Sequence, residues 1–165
     1  KLLKPIKKKL MIKFNVSVRS KKWDMYIKKP NIYFQKKIKK LNNKINNFNN
    51  KNIECSLLLT GDTDIRALNK KFRKKNKSTD VLSFPFYEKK VIKRLLKRKK
   101  DFYLGDVIVN FNKIKNKYNS KKDFMSKLDK LWIHGLLHLL GYRHKLKKDY
   151  IVMQKLEDKF FKIIN

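Results

Sequence analysis

This chain of 165 residues carries one cysteine, three prolines, three histidines and only 13 acidic residues. A single thiol, Cys55, excludes an internal disulfide; it stands in an apolar run and reads as a small buried residue. No apolar stretch approaches the roughly 20 residues that cross a bilayer, and the apolar part of residues 1–10 is too short for a secretory signal. The expectation is therefore a cytoplasmic protein with no membrane partner. The shortage of acid leaves 46 Lys and Arg residues and a formal charge of +33. Such a surface attracts polyanions, and nucleic acid is the commonest. Forty of those cations are lysines, and Asn, Ile and Phe are also abundant, as drift in an AT-rich genome would produce. Charge alone permits an RNA partner without specifying one.

All three histidines fall in one stretch, His134-Gly-Leu-Leu-His138-Leu-Leu-Gly-Tyr-Arg-His144. Residues four apart on a helix share a face, so His134 and His138 can grip one ion. Gly141 offers a left-handed helix end, after which the chain can double back to bring in His144. A lone histidine on an apolar face is usually a hydrogen-bonded core residue. Three at this spacing, with none elsewhere, favour a metal. Three protein ligands with a fourth position open is the arrangement of a catalytic zinc, and one ion is expected. Nickel, cobalt and copper also suit imidazole. Such an ion keeps its charge, which would activate a water and polarise a phosphoryl oxygen. Zinc proteases of the His-Glu-x-x-His type place their base directly after the first histidine. Here that residue is Gly135, which cannot move a proton, so a peptidase ranks low.

Along the chain, alternation of Phe14, Val16 and Val18 predicts a strand at about 12–19. Ile32, Phe34, Ile38, Leu41, Ile45 and Phe48 recur at helical spacing over 31–49. Further strands are expected at 53–60, 81–86 and 105–110. A short helix carrying Ile65, Leu68 and Phe72 would be capped by Asp62 or Thr63, and longer helices fit 121–140 and 147–163. The segment 88–101 reads first as a solvated loop, then as an RNA-facing edge, and last as a basic helix on a membrane surface. The order implies one α/β or α+β domain over 12–165, a small mixed four-stranded sheet packed with helices, one of them bearing the histidines. Residues 1–11 would form a basic N-terminal arm.

Three separated stretches together resemble the YbeY family of bacterial endoribonucleases. Leu68-Asn-Lys-Lys-Phe-Arg73 followed by Ser78-Thr-Asp-Val-Leu-Ser-Phe-Pro85 is similar to its first motif, Leu104-Gly-Asp-Val-Ile-Val to its second, and the histidine stretch to its third. The resemblance runs in family order from about residue 53 to 144. It implies a zinc-dependent, single-strand-specific endoribonuclease that matures ribosomal RNA, including the 3′ end of small-subunit RNA, and serves ribosome quality control. Ribosomal RNA and the small ribosomal subunit would be its partners. His134, His138 and His144 become the metal ligands and Arg73 a residue important for activity. Asp106 matches the acidic residue of the second motif, as a partner of a histidine, a proton acceptor or a turn former. A fixed guanidinium such as Arg73 is well shaped to meet charge growing on phosphorus oxygens. Thr79, Asp80 and Ser83 would shape the strand edge beside the site. Phe84 and Tyr142 are candidates for stacking on bases, with core packing the more ordinary fate of Phe84.

Three positions depart from the family pattern. Arg143 stands where an aspartate is usual, Lys74 replaces a glycine, and Ser78 replaces a proline, which would loosen that loop. The competing reading from another class is a non-catalytic ribosome-assembly factor that binds RNA by charge and keeps its metal for structure.

Overall fold

The computed structural model describes residues 11–44, 52–97, 101–144 and 146–165. Its strands are β1 (Met11–Val18), β2 (Asn52–Thr60), β3 (Val81–Pro85) and β4 (Phe102–Asn110). Its helices are α1 (Pro30–Lys44), α2 (Asp62–Arg73), α3 (Lys89–Lys97), α4 (Phe111–Lys115), α5 (Lys121–Leu139) and α6 (Lys147–Ile164), with a 3-10 turn at Lys21–Met25. The sheet order is β1-β2-β4-β3; β1, β2 and β4 run parallel, and β3 closes one edge antiparallel to β4. This is the single mixed α+β domain that the sequence pattern implies.

Strand β2 shows how the faces are assigned. Ile53, Cys55, Leu57 and Leu59 are fully buried, because alternate residues of a strand point to one side. That side meets α1 and α5, where Trp132 stacks edge-on against both Phe14 and Phe34. The opposite face is covered in part by α2, through a smaller cluster of Ile65, Leu82 and Ile108. Helix α6 packs against both α1 and α5. A buried carboxylate fixes part of this helical layer. Asp129 of α5 accepts from Tyr33 and Lys37 of α1, at 2.8 and 2.9 Å, and from the Trp132 indole at 3.0 Å. Three donors, one of them charged, offset the cost of taking a carboxylate out of water.

Several expectations are corrected. Segment 88–101 contains a helix, α3, rather than a plain loop. Ile92 is buried, and Leu95 and Leu96 are half-buried against the main core, so most of the apolar residues that suggested a membrane face are used in packing. Gly61 is the N-cap of α2, which places Asp62 and Thr63 inside the helix. Ser78 does not leave its loop loose: its hydroxyl donates to Asp62 and accepts from the Asn110 amide at 2.9 Å. Helix α4 and the 3-10 turn are too short to show a period. Of the expected arm, residues 1–10 lie outside the described residues, and Met11 already opens β1. Ile45 and Phe48, the last residues of the first helical pattern, also lie outside them. No described helix is long and apolar enough to cross a membrane.

The C-cap of α2 is Lys74, held in the left-handed region at φ 58°. Among the described residues it is the one non-glycine with positive φ. A Cβ in that conformation is strained, and a glycine is not. Lys74→Gly is expected to stabilise the fold by about 1 kcal/mol, seen as a higher urea midpoint. An unchanged or lower midpoint would show that the cap stores no strain.

Candidate metal centre

Helix α5 lies tight against the sheet at Gly135. A Cβ there would lie 2.5 and 2.9 Å from the Val107 methyls of β4 and 3.3 Å from the Ser83 hydroxyl of β3. This contact sets the depth of the turn that bears His134 and His138, both of them half-buried. The helix stops as its sequence suggests. Gly141 takes φ +86°, its N–H bonds His138 O at 3.0 Å, and the Tyr142 N–H bonds Leu137 O at 3.0 Å. The reversal carries His144 back over the helix end. Its ring centre lies 5.6 Å from that of His134 and 5.0 Å from that of His138, which are 4.6 Å from each other. One nitrogen from each ring lies within 4.8 Å of the others.

The outer partners decide which nitrogens are free. His134 Nδ1 sits 2.6 Å from the Glu157 carboxylate of α6, and His138 Nδ1 sits 2.9 Å from the Tyr142 carbonyl. Both partners are acceptors, so each Nδ1 donates outward and each Nε2 is turned inward. Those two Nε2 atoms are 3.0 Å apart. A gap of that length takes one shared proton or, slightly widened, one metal ion. Nitrogens ligating a tetrahedral ion at about 2.0–2.1 Å are about 3.3 Å from each other, so the donor set fits a divalent metal. Burial pushes the His138 pKa down to about 4; the Tyr142 carbonyl opposes this, while His134, His144 and Arg143 add to it. At neutral pH His138 is uncharged, the form that binds metal. A cleft of about 400 Å³ opens beside the cluster, lined by His134, His144, Tyr150 and Glu157 among others.

The other expected site residues stand on other elements. Arg73 ends α2, is exposed, and donates from Nη2 to the Ser83 carbonyl at 2.9 Å. Inward ladder bonds are made at Asp80 and Phe86, so alternation turns the Ser83 carbonyl to the free edge of β3. Arg73 thus grips the strand whose other side packs under Gly135. The structure does not bring Asp106 to the histidines. It neighbours Val107 on β4 and so faces the opposite side of the sheet. There it accepts from the Tyr103 hydroxyl at 2.6 Å, and that hydroxyl also meets Ser56 at 2.8 Å. The partners that the histidines do have, Glu157 and the Tyr142 carbonyl, were not read from the sequence.

A family model described as Endoribonuclease YbeY matches residues 16–165. A Pelagibacter ubique protein of that name is 42% identical over 157 residues, spanning 93% of this chain and 97% of its own. The chain belongs to the YbeY family. Another YbeY relative, from Thermodesulfovibrio yellowstonii, is 38% identical over 149 residues, 87% of each chain. The solution structure of a Thermotoga maritima protein aligns over 93% of this chain and 89% of that one, with a TM-score of 0.51 and 21% identity. That likeness speaks for the fold alone. Arg143, where YbeY sequences usually carry an aspartate, is exposed; in this chain Glu157 supplies the carboxylate behind a histidine.

Outer carboxylates on metal-binding histidines typically change affinity 10- to 100-fold. Glu157→Gln is expected to weaken zinc binding by about that range in chelator competition; unchanged affinity would show that the carboxylate has no hold on the site. The fold keeps His138 neutral, whereas an unfolded histidine takes its proton near 6.5. Between those values the unfolded chain binds more protons, so stability falls as pH drops from 6.5 towards 4. Urea midpoints of metal-free protein across that range should decline, and more shallowly in His138→Gln. Equal slopes would remove His138 as the cause.

Proposed function

We propose that this protein is a metal-dependent endoribonuclease of single-stranded RNA, with zinc as its resident ion. Ribosomal RNA is the substrate, including the 3′ end of small-subunit RNA, with the small ribosomal subunit as partner and the cytoplasm as setting. Ribosome quality control is part of the same role. The observation that carries the reading is the pair of facing Nε2 atoms with His144 closing over them. Family membership supplies the reaction class.

His134, His138 and His144 would hold the ion, which when bound supplies Lewis-acid polarisation of the scissile phosphate and a more acidic water. Glu157 and the Tyr142 carbonyl keep two of the rings turned with Nε2 inward. Structural zinc sites are closed by four protein ligands; three candidate ligands meet here among the described residues, which favours catalysis over a purely structural metal. Arg73 spends one N–H on Ser83 and has no carboxylate partner among the described residues. Its planar fork is free to meet charge growing on phosphoryl oxygens. Asp106 we assign a structural part, anchoring Tyr103 on the far face of the sheet. Gly135, wedged against Val107, leaves no base where a zinc peptidase has one.

His138→Ala is expected to bind single-stranded RNA within a few-fold of the parent and to lose cleavage. Arg73→Ala should lower the cleavage rate by about 10²–10³. A zinc-loaded parent that binds RNA and never cuts it would instead be an assembly factor, and hydrolysis of casein would revive the peptidase.

A further inference from the structure

The sheet face turned away from the histidines carries a row of aromatic rings that the chemistry above does not use. Phe72 is 58% and Phe86 69% exposed, high values for phenylalanine. Phe72 lies 5.3 Å from Phe84, ring centre to ring centre. Phe84 and Phe86 are two apart along β3 and its extension, where Phe86 still bonds Leu104 of β4, so they share a face. Phe86 in turn lies 6.3 Å from Tyr103. The rings of Phe84 and Phe86 on the edge strand and its extension thus have Phe72 beside the first and Tyr103 of β4 beside the second.

Cations accompany them. The Arg73 guanidinium sits 5.6 Å over Phe84, and Lys71 Nζ sits 5.2 Å over Phe72. Exposed rings flanked by cations suit a strand with unpaired bases and a phosphate backbone. They do not suit a second copy of a chain with a charge of +33, which would repel itself. The row is also tied to the metal centre. Arg73 holds the Ser83 carbonyl at the free edge of β3, and Ser83 packs under Gly135, the neighbour of His134.

We propose that Phe72 and Phe86, with Phe84 between them, form a base-stacking platform for single-stranded RNA that crosses the β3 edge. Arg73 marks the crossing: the scissile phosphate lies on the histidine side, and bases of neighbouring nucleotides rest on the rings. This rests on the nuclease reading and adds to it the reason for strand selectivity, since duplex bases are already stacked and cannot reach the platform.

The test uses zinc-loaded protein with a labelled oligouridylate and a duplex RNA of equal length, followed by anisotropy. Both rings are exposed, so Phe72→Ala and Phe86→Ala should fold. Each is expected to weaken single-strand binding about fivefold or more, with duplex binding unchanged, and Phe86→Trp should restore it. If single-strand binding is unchanged while the parent still cleaves, the platform is refuted and the nuclease reading stands. Equal losses on single strand and duplex would also refute it. If the parent neither binds nor cuts the oligouridylate, the nuclease reading itself fails.

Discussion

The close contact of Gly135 with Val107 and Ser83 is the constraint on which the site depends. At this point α5 has no side chain between its backbone and the sheet, so the helix lies lower than any other residue would allow. His134 precedes the contact and His138 follows it one turn on, which fixes how deeply both rings sit. The pinned strand is β3, antiparallel and at the edge. Its second side is held by Arg73. One five-residue strand therefore couples the helix of His134 and His138 to Arg73, although α2 and α5 lie on opposite faces of the sheet.

A second constraint acts from farther away. Glu157 reaches His134 only because α6 is seated correctly, and that seating is made of ordinary packing. Met153, Phe160 and Ile164 are buried, and Lys40 Nζ caps the Ile164 carbonyl at 2.9 Å. Lys37 joins α1 to Asp129 of α5 and to Asn165 beyond α6. Core residues of three helices thus govern the rotamer of one imidazole. Loosening α6 would leave the three histidines in the chain and still disorder the site, because a ring without its Nδ1 partner no longer presents Nε2 in a fixed direction.

What could be read from the sequence was what is local. The first strand and the long helices announced themselves through periods of two and of 3.6, the other strands through short apolar runs, and Gly141 announced its own turn. The histidine cluster was legible because its three members lie within eleven residues of one another. Glu157 was not, since it stands 23 residues after His134 in a helix rich in charge, where nothing local separates it from Asp158. The side of the sheet on which Asp106 falls was equally hidden. Alternation says that it opposes Val107, but only the packing of α5 says which of the two faces the histidines. Segment 88–101 looked like a loop because lysine and arginine so outnumber its apolar residues; tertiary contact of Ile92 decided for a helix. Lys74 shows the reverse case, in which the backbone demands a left-handed residue and the local sequence supplies a poor one.

Composition and geometry also speak to different quantities. A charge of +33 spread mostly over lysines raises affinity for any polyanion and is weakened by salt. It does not distinguish single strand from duplex, or RNA from other phosphates. Arg73 differs from the forty lysines in being planar, anchored by a 2.9 Å bond to a strand and stacked on a ring. Selectivity must come from such placed groups, because only a fixed group loses interaction energy when the wrong ligand arrives. Loss of lysines elsewhere on the surface would therefore lower affinity for all nucleic acids together, whereas the edge of β3 is where discrimination between them can arise.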